Sequence, residues 1–372
     1  MVTVDNAGRY LQAVGLISTE AAIDGDLDII SATRRNRNLQ VTTRGSGNFL
    51  IKQPNDPQTI AVDTLRREAL FYAFCQNEPA AAALRPLMPR LIRAYLDEAL
   101  LILELLREAK PLWRYYDGFT GDEFPRQPAA AVGRALATVH RTFGAPELLA
   151  HPGLAFLEAQ TPWALEIHRP NPEILTYMSS AQINLIRILQ GQPEAVRALD
   201  ELRAAWQPET VIHGDVKLDN FLIIPSPDEQ APVLYLVDWE LVQRGDPAWD
   251  LGGAFHDFIY FWVLSMDHTA PLAEMAAGAT HPLSALRPAI HALWSAYCEG
   301  MSLTGAAGSS LLHRTVRYSA ARVIQTAYEM ARHFPMIPPP SVLMLQIGVN
   351  LAREPERALA ELYGLTEEGD PL

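Results

Sequence analysis

The stretch that most narrows what this chain can fold into is Val211-Ile212-His213-Gly214-Asp215-Val216-Lys217-Leu218-Asp219-Asn220, followed by Asp238-Trp239-Glu240. Between them lie Phe221 to Ile224 and Val233 to Val237, two short apolar runs joined by Pro225-Ser226-Pro227-Asp228-Glu229. This alternation reads as strand, turn and strand. A hairpin brings its outer ends together, so Asn220 and Asp238 become neighbours although eighteen residues separate them. Taken singly, Asp215, Asp219 and Asn220 are ordinary turn residues. Together with the hairpin and a second aspartate they exceed what a turn requires.

A carboxylate close to two further oxygen donors suits phosphoryl transfer. That reaction asks little covalent chemistry of a protein, but it needs a group facing the attacking hydroxyl and ligands for the Mg²⁺ on the phosphates. The order His213-x-Asp215-x-x-x-x-Asn220, with Asp238 beyond, resembles the aminoglycoside phosphotransferase family within the wider protein-kinase-like fold. The resemblance implies that Asp215 is the base or orienting carboxylate and that Lys217 balances charge on the transferring phosphoryl group. It also implies that Asn220 and Asp238 hold Mg²⁺, a hard cation that prefers oxygen, and that His213 organises the loop. Gly245-Asp246-Pro247-Ala248-Trp249-Asp250-Leu251-Gly252 resembles the family as well, and implies a supporting hydrogen-bond role for Asp250. The residues alone also allow Asp250 to accept backbone N–H groups at the start of an apolar helix.

Such a fold needs a strand lysine and a helix glutamate nearer the N-terminus. Asn48-Phe49-Leu50-Ile51-Lys52-Gln53 is a short strand ending in a lysine, preceded by Gly45-Ser46-Gly47 as a turn. In Thr64 to Phe74, Leu65, Ala69 and Tyr72 form an apolar stripe at helical spacing. Lys52 is the candidate for the nucleotide phosphates, with Glu68 as its ion-pair partner. Neither G-x-G-x-x-G at the N-terminus nor G-x-x-x-x-G-K-[ST] anywhere occurs, which argues against the P-loop class. The phosphate-loop position falls on Ser31 to Asn38, between the apolar Leu27–Ile30 and Leu39–Thr42 segments. There Arg34, Arg35 and Arg37 either meet phosphate oxygens or an acidic substrate, or form a solvated hairpin tip. Ala99 to Leu106 reads as a buried strand leading to a hinge, with Glu104 and Leu106 as candidates for the nucleotide edge.

Strands with one main helix precede Glu104, and helices dominate after Pro128. The fold expected is α+β and bilobal: a small N-terminal sheet lobe (1–106) for nucleotide and a large, mostly helical C-terminal lobe (107–372) for catalysis and substrate. Further helices are expected over Tyr10–Leu16, Ala129–Phe143 and Leu311–Phe334. Arg314, Arg317 and Arg322 on the last of these read as a wet face. The histidines show no metal-binding spacing, and the two cysteines, Cys75 and Cys298, no disulfide or zinc pattern. A net charge of −13 over 372 residues argues against nucleic-acid binding. With neither a signal peptide nor a membrane span in view, a cytoplasmic location is expected.

The function expected is an ATP-dependent (or GTP-dependent), Mg²⁺-dependent phosphotransferase acting on a hydroxyl. Resemblance of the Arg34–Asn38 loop to phosphotransferase-like proteins of peptide natural-product (RiPP) maturation implies a peptide Ser or Thr as acceptor and a partner lyase. The alternatives are a small-molecule kinase for an aminoglycoside or choline-like alcohol, and a silent kinase-like binding module.

Overall fold

The computed structural model describes residues 1–23, 27–32, 36–45, 47–56, 61–225 and 232–372. Its N-terminal part is an antiparallel sheet of β1 (Leu27–Ser31), β2 (Asn36–Thr43), β3 (Phe49–Pro54), β4 (Leu91–Tyr95) and β5 (Leu100–Glu104), in the order β1-β2-β3-β5-β4. Alternation along these strands sends their residues to two separate cores. Leu39, Val41, Phe49, Ile51, Leu100 and Ile102 face outward, where the Ala7–Ala13 helix covers them with Ala7 and Leu11. Leu101 and Leu103 face the other way, into the main core with Leu65, Ala69 and Tyr72 of the Ala61–Asn77 helix. Lys52 therefore shares the inner face, two residues on from Leu50, and a helix carrying Glu68 lies across it.

The expected loop over Ser31–Asn38 is shorter than its sequence suggests, because β2 already begins at Asn36 and runs in register with β3. Arg34 and Arg35 lie outside the described residues. Arg37 pairs with Gln53 across the sheet, and Gln53 exchanges hydrogen bonds with the backbone of Val2 on the outer face. Residues directly opposite on neighbouring strands point to the same side, so Arg37 faces away from Lys52. Its assignment to the nucleotide is corrected by this register.

A three-stranded sheet of β6 (Lys110–Pro111), β8 (Phe221–Ile224) and β9 (Val233–Leu236) follows the crossing between the lobes, beside a two-stranded pair of β7 (Thr210–Ile212) and β10 (Gln243–Gly245). Around these lie the helices. Arg126–Phe143 packs on Leu283–Met301, and Gly305–Met330 packs on both Pro247–Leu264 and Pro339–Arg353. The expected helices are present with shifted ends. Arg126–Phe143 starts earlier than the sequence suggested because Pro128 is tolerated in a first turn, where its missing N–H has no intrahelical partner to lose. Pro339 likewise opens the last long helix. Among the described residues no helix is long and apolar enough to cross a membrane.

Candidate active site

On the N-terminal side of the cleft, the Lys52 ammonium sits 2.8 and 2.7 Å from the two carboxylate oxygens of Glu68 and 2.7 Å from Asp238 Oδ1. The Lys52 and Glu68 side chains are buried, whereas that of Asp238 is 35% exposed. Burial works against the charge on Lys52, but Asp238 and Glu68 outweigh it and hold the ammonium above the ordinary lysine range. Lys52 in turn overcomes burial at Asp238 and lowers its pKa. Asp238 adopts a left-handed backbone (φ 70°, ψ 53°), a conformation uncommon for non-glycine residues but more accessible to aspartate than to most. The β8–β9 register joins Phe221 to Leu236, and the Val237 amide donates to the Asn220 carbonyl at 2.9 Å. The outer ends of this hairpin thus bring Asn220 and Asp238 together.

The loop after β7 is held from beneath by Asp250. Its Oδ2 accepts from the His213 amide at 2.7 Å and its Oδ1 from the Gly214 amide at 3.0 Å, while His140 Nε2 lies 3.2 Å from Oδ2. The helix cap that the sequence allowed for Asp250 belongs instead to Asp246, which accepts from the Ala248 amide at 2.9 Å. Gly214 has φ +82°, and a Cβ there would stand 2.4 Å from the Leu241 carbonyl oxygen, so only glycine fits. His213 is fully buried, which keeps its pKa low despite the carboxylates nearby. A neutral ring donating from Nε2 to the Val237 carbonyl (3.0 Å) and accepting at Nδ1 from the Asp215 amide (3.3 Å) satisfies both nitrogens. His213 therefore ties the loop to the residue before Asp238.

Both oxygens of Asp215 are engaged. Lys217 Nζ lies 2.5 Å from Oδ2, and an Arg322 guanidinium nitrogen lies 3.3 Å from Oδ1. Burial would raise this carboxyl, yet Lys217 and then Arg322 hold it well below the usual carboxylate range. Asn220 Nδ2 donates to the Asp215 carbonyl at 2.9 Å. With its amide nitrogen so used, Asn220 presents oxygen as its remaining side-chain donor atom. Asn220 and Asp238 form an all-oxygen donor pair on one side of the cleft, which fits a hard divalent cation whose other positions go to phosphate and water. No group of three or more His, Cys, Asp or Glu suited to a metal occurs among the described residues.

Lys52, Glu68, Asp215, Lys217, Asn220, Asp238 and Arg322 line one cleft of about 880 Å³, together with Asn36, Asn38, Glu104, Leu106, Gln325 and Glu329. Glu104 and Leu106 stand at its edge, where the Leu105 amide donates to the Asn48 carbonyl at 3.0 Å. Two features escaped the sequence reading. Asn36 Nδ2 reaches Glu240 at 2.9 Å and links β2 to the segment carrying Asp238. Arg322 is buried against Asp215 and is no wet face, unlike Arg317, which pairs with the exposed Glu201. A signal for it existed: Arg322, Gln325, Thr326 and Glu329 recur at helical spacing as a polar stripe, and all four line the cleft.

The fold is shared with solved kinase structures. Choline kinase from Cryptosporidium parvum superposes with a TM-score of 0.55 at 11% identity, covering 97% of this chain and 99% of that one. The amicoumacin kinase hAmiN, solved with AMP-PNP, Ca²⁺ and Ami, gives 0.53 at 12% identity, covering 94% of each chain. A choline/ethanolamine kinase family protein from Mesorhizobium loti gives 0.50 at 16% identity, covering 96% and 94%. In sequence, 59 residues are 41% identical to acyl-CoA dehydrogenase family member 11 of Gallus gallus, a match over 16% of this chain and only 7% of that much longer protein. Residues 26–293, well over half of the chain, match the phosphotransferase enzyme family, and the chain belongs to that family.

Proposed function

We propose that this phosphotransferase is a small-molecule kinase that uses MgATP to phosphorylate an alcohol, with residues 1–106 holding the nucleotide and 107–372 the catalytic loop and acceptor. The observation that carries the reading is the buried Lys52–Glu68–Asp238 ion cluster facing Asp215 and Asn220 across a single cleft. Lys52 would meet the phosphates, and Glu104 and Leu106 would border the base. Asn220 and Asp238 would hold Mg²⁺, which when bound neutralises phosphate charge. The acceptor oxygen would bond to the γ-phosphorus as the bond from that phosphorus to the β–γ bridging oxygen breaks. The hydroxyl proton would pass to Asp215 Oδ2 and the nucleoside diphosphate would leave. Lys217 is the side chain that must release Oδ2 for this, and at 38% exposure it has room to turn towards the transferring group.

A small acceptor is favoured over a peptide. Two of the solved kinases sharing the fold are named for choline and for amicoumacin. The arginine loop that suggested a peptide, and with it a partner lyase, contributes Arg37 to the far face of the sheet. Beside the catalytic loop an adjoining cavity of about 410 Å³ combines Trp113, Tyr260 and Phe261 with Asp117, Asp219 and Asp257. Aromatic faces among carboxylates suit a cationic alcohol. Incubating the protein with MgATP and, separately, choline-like alcohols, aminoglycosides and Ser/Thr peptides should give turnover with a small cationic alcohol. Turnover confined to peptides would reject this choice of acceptor.

The nucleotide half of the proposal has its own expected result. Lys52→Ala and Asp238→Ala should each weaken MgATP binding by about tenfold or more, a loss of roughly 1.4 kcal/mol, in calorimetric titration. Unchanged affinity and turnover in both variants would remove the nucleotide from this cluster.

A further inference from the structure

Arg322 approaches the catalytic loop from the Gly305–Met330 helix, more than a hundred residues further along the chain. Its guanidinium is fixed on several sides. One nitrogen reaches both Asp215 Oδ1 and the Val216 carbonyl at 3.3 Å, and another donates to Gln325 Oε1 at 2.9 Å. Gln325 is itself held by a 2.8 Å bond to Glu329. The guanidinium carbon lies 5.4 Å from the centre of the Trp249 ring, and the Trp249 indole nitrogen donates to the Gly214 carbonyl at 3.0 Å. The ring beneath Arg322 is thus bonded to the same loop that Arg322 touches from above.

Close approach of two helices makes this possible. A Cβ on Gly252 would stand 2.9 Å from the Ser319 amide nitrogen, so the Pro247–Leu264 helix meets the Gly305–Met330 helix at a distance that a larger side chain would prevent. The same pair of helices carries Arg322 on one side and Trp249 on the other. The two cations on Asp215 are therefore unlike. The Arg322 side chain is 7% exposed and multiply bonded, whereas that of Lys217 is 38% exposed and bonded to Asp215 alone among the contacts described.

We propose that Arg322 is a positioning residue for phosphoryl transfer: it clamps Asp215 through Oδ1, so that Oδ2, once Lys217 turns away, is aimed at the acceptor hydroxyl. A rigid, planar guanidinium suits this task because it grips a carboxylate oxygen and a backbone carbonyl while stacking on an aromatic face. The inference rests on the kinase reading of the cleft, and its test keeps the two apart. No acceptor need be known where water takes its place in MgATP hydrolysis; a wild type that binds MgATP without hydrolysing it is assayed instead with the small cationic alcohol that it turns over.

MgATP hydrolysis and calorimetric MgATP binding are measured for the wild type, Arg322→Gln, Arg322→Lys, Asp215→Asn and the Arg322→Gln/Asp215→Asn double variant. A misaimed carboxylate should lower kcat of Arg322→Gln by roughly 10²-fold, with MgATP affinity within about twofold of wild type. Arg322→Lys, which keeps the charge, should recover part of that loss, and it serves as the decisive single variant should Arg322→Gln fail to fold. In the double variant the Arg322 change should cost almost nothing further, because it acts through Asp215. Full kcat in Arg322→Gln, or in Arg322→Lys where the glutamine variant does not fold, would overturn the inference, as would losses that multiply in the double variant. A wild type that neither binds nor hydrolyses MgATP would instead overturn the kinase reading itself.

Discussion

Asp215→Ala should reduce phosphoryl transfer by roughly 10³-fold, equivalent to about 4 kcal/mol of transition-state stabilisation, while MgATP still binds. The separation follows from the geometry. Asp215 is tied to Lys217 and Arg322, whereas the groups placed at the nucleotide are Lys52, Asp238 and Asn220. Alanine also empties the space between Lys217 and Arg322, so Asp215→Asn, which likewise removes the charge but keeps the shape and one accepting oxygen, is the cleaner partner variant. Both should show the same kinetic loss, with nearly unchanged nucleotide affinity by calorimetry. Retention of more than a tenth of the wild-type rate in Asp215→Asn would mean that another group faces the hydroxyl.

Asp250→Ala is expected to damage the fold and the activity together. The Asp250 side chain is fully buried and accepts two backbone amides while contacting His140. Each buried donor left without an acceptor costs about 1–3 kcal/mol, so the two amides together cost about 2–6 kcal/mol. Against a total stability on the order of 5–15 kcal/mol this is large. Denaturant unfolding should show a lower midpoint with an unchanged slope. Turnover should fall as well, because the amides of His213 and Gly214 fix the approach to Asp215. Asp250→Asn, which keeps one accepting oxygen but offers an N–H to groups that are already donors, should fall between. A midpoint equal to wild type in Asp250→Ala would show that the loop is held by other contacts.

Much of this site could be read from the chain because its parts are local. A strand ending in Lys52, a helix with Glu68 facing the core, and a short hairpin flanked by Asn220 and Asp238 are set by alternation, helical spacing and turn residues within a few residues of one another. The structure joins these separate pieces by hydrogen bonds of 2.7–2.9 Å. Arg37 shows where local reading stops. Whether an arginine near a hairpin tip faces the cleft depends on strand register, and a shift of one residue reverses every side chain. Pairing of Arg37 with Gln53 decided it.

The sequence alone determined the family and the α+β two-lobed architecture, and it offered most of the polar groups that the cleft brings together, since each of these follows from short-range pattern. Only the tertiary structure decided which charges act on Asp215. Arg322 on its own helix is indistinguishable from Arg317 by composition. One is buried over Trp249 and the other pairs at the surface because two helices meet at Gly252 and turn one side of Gly305–Met330 into the cleft. Helix periodicity tells which residues share a face, but the identity of the surface opposite that face is a matter of packing between segments distant in sequence.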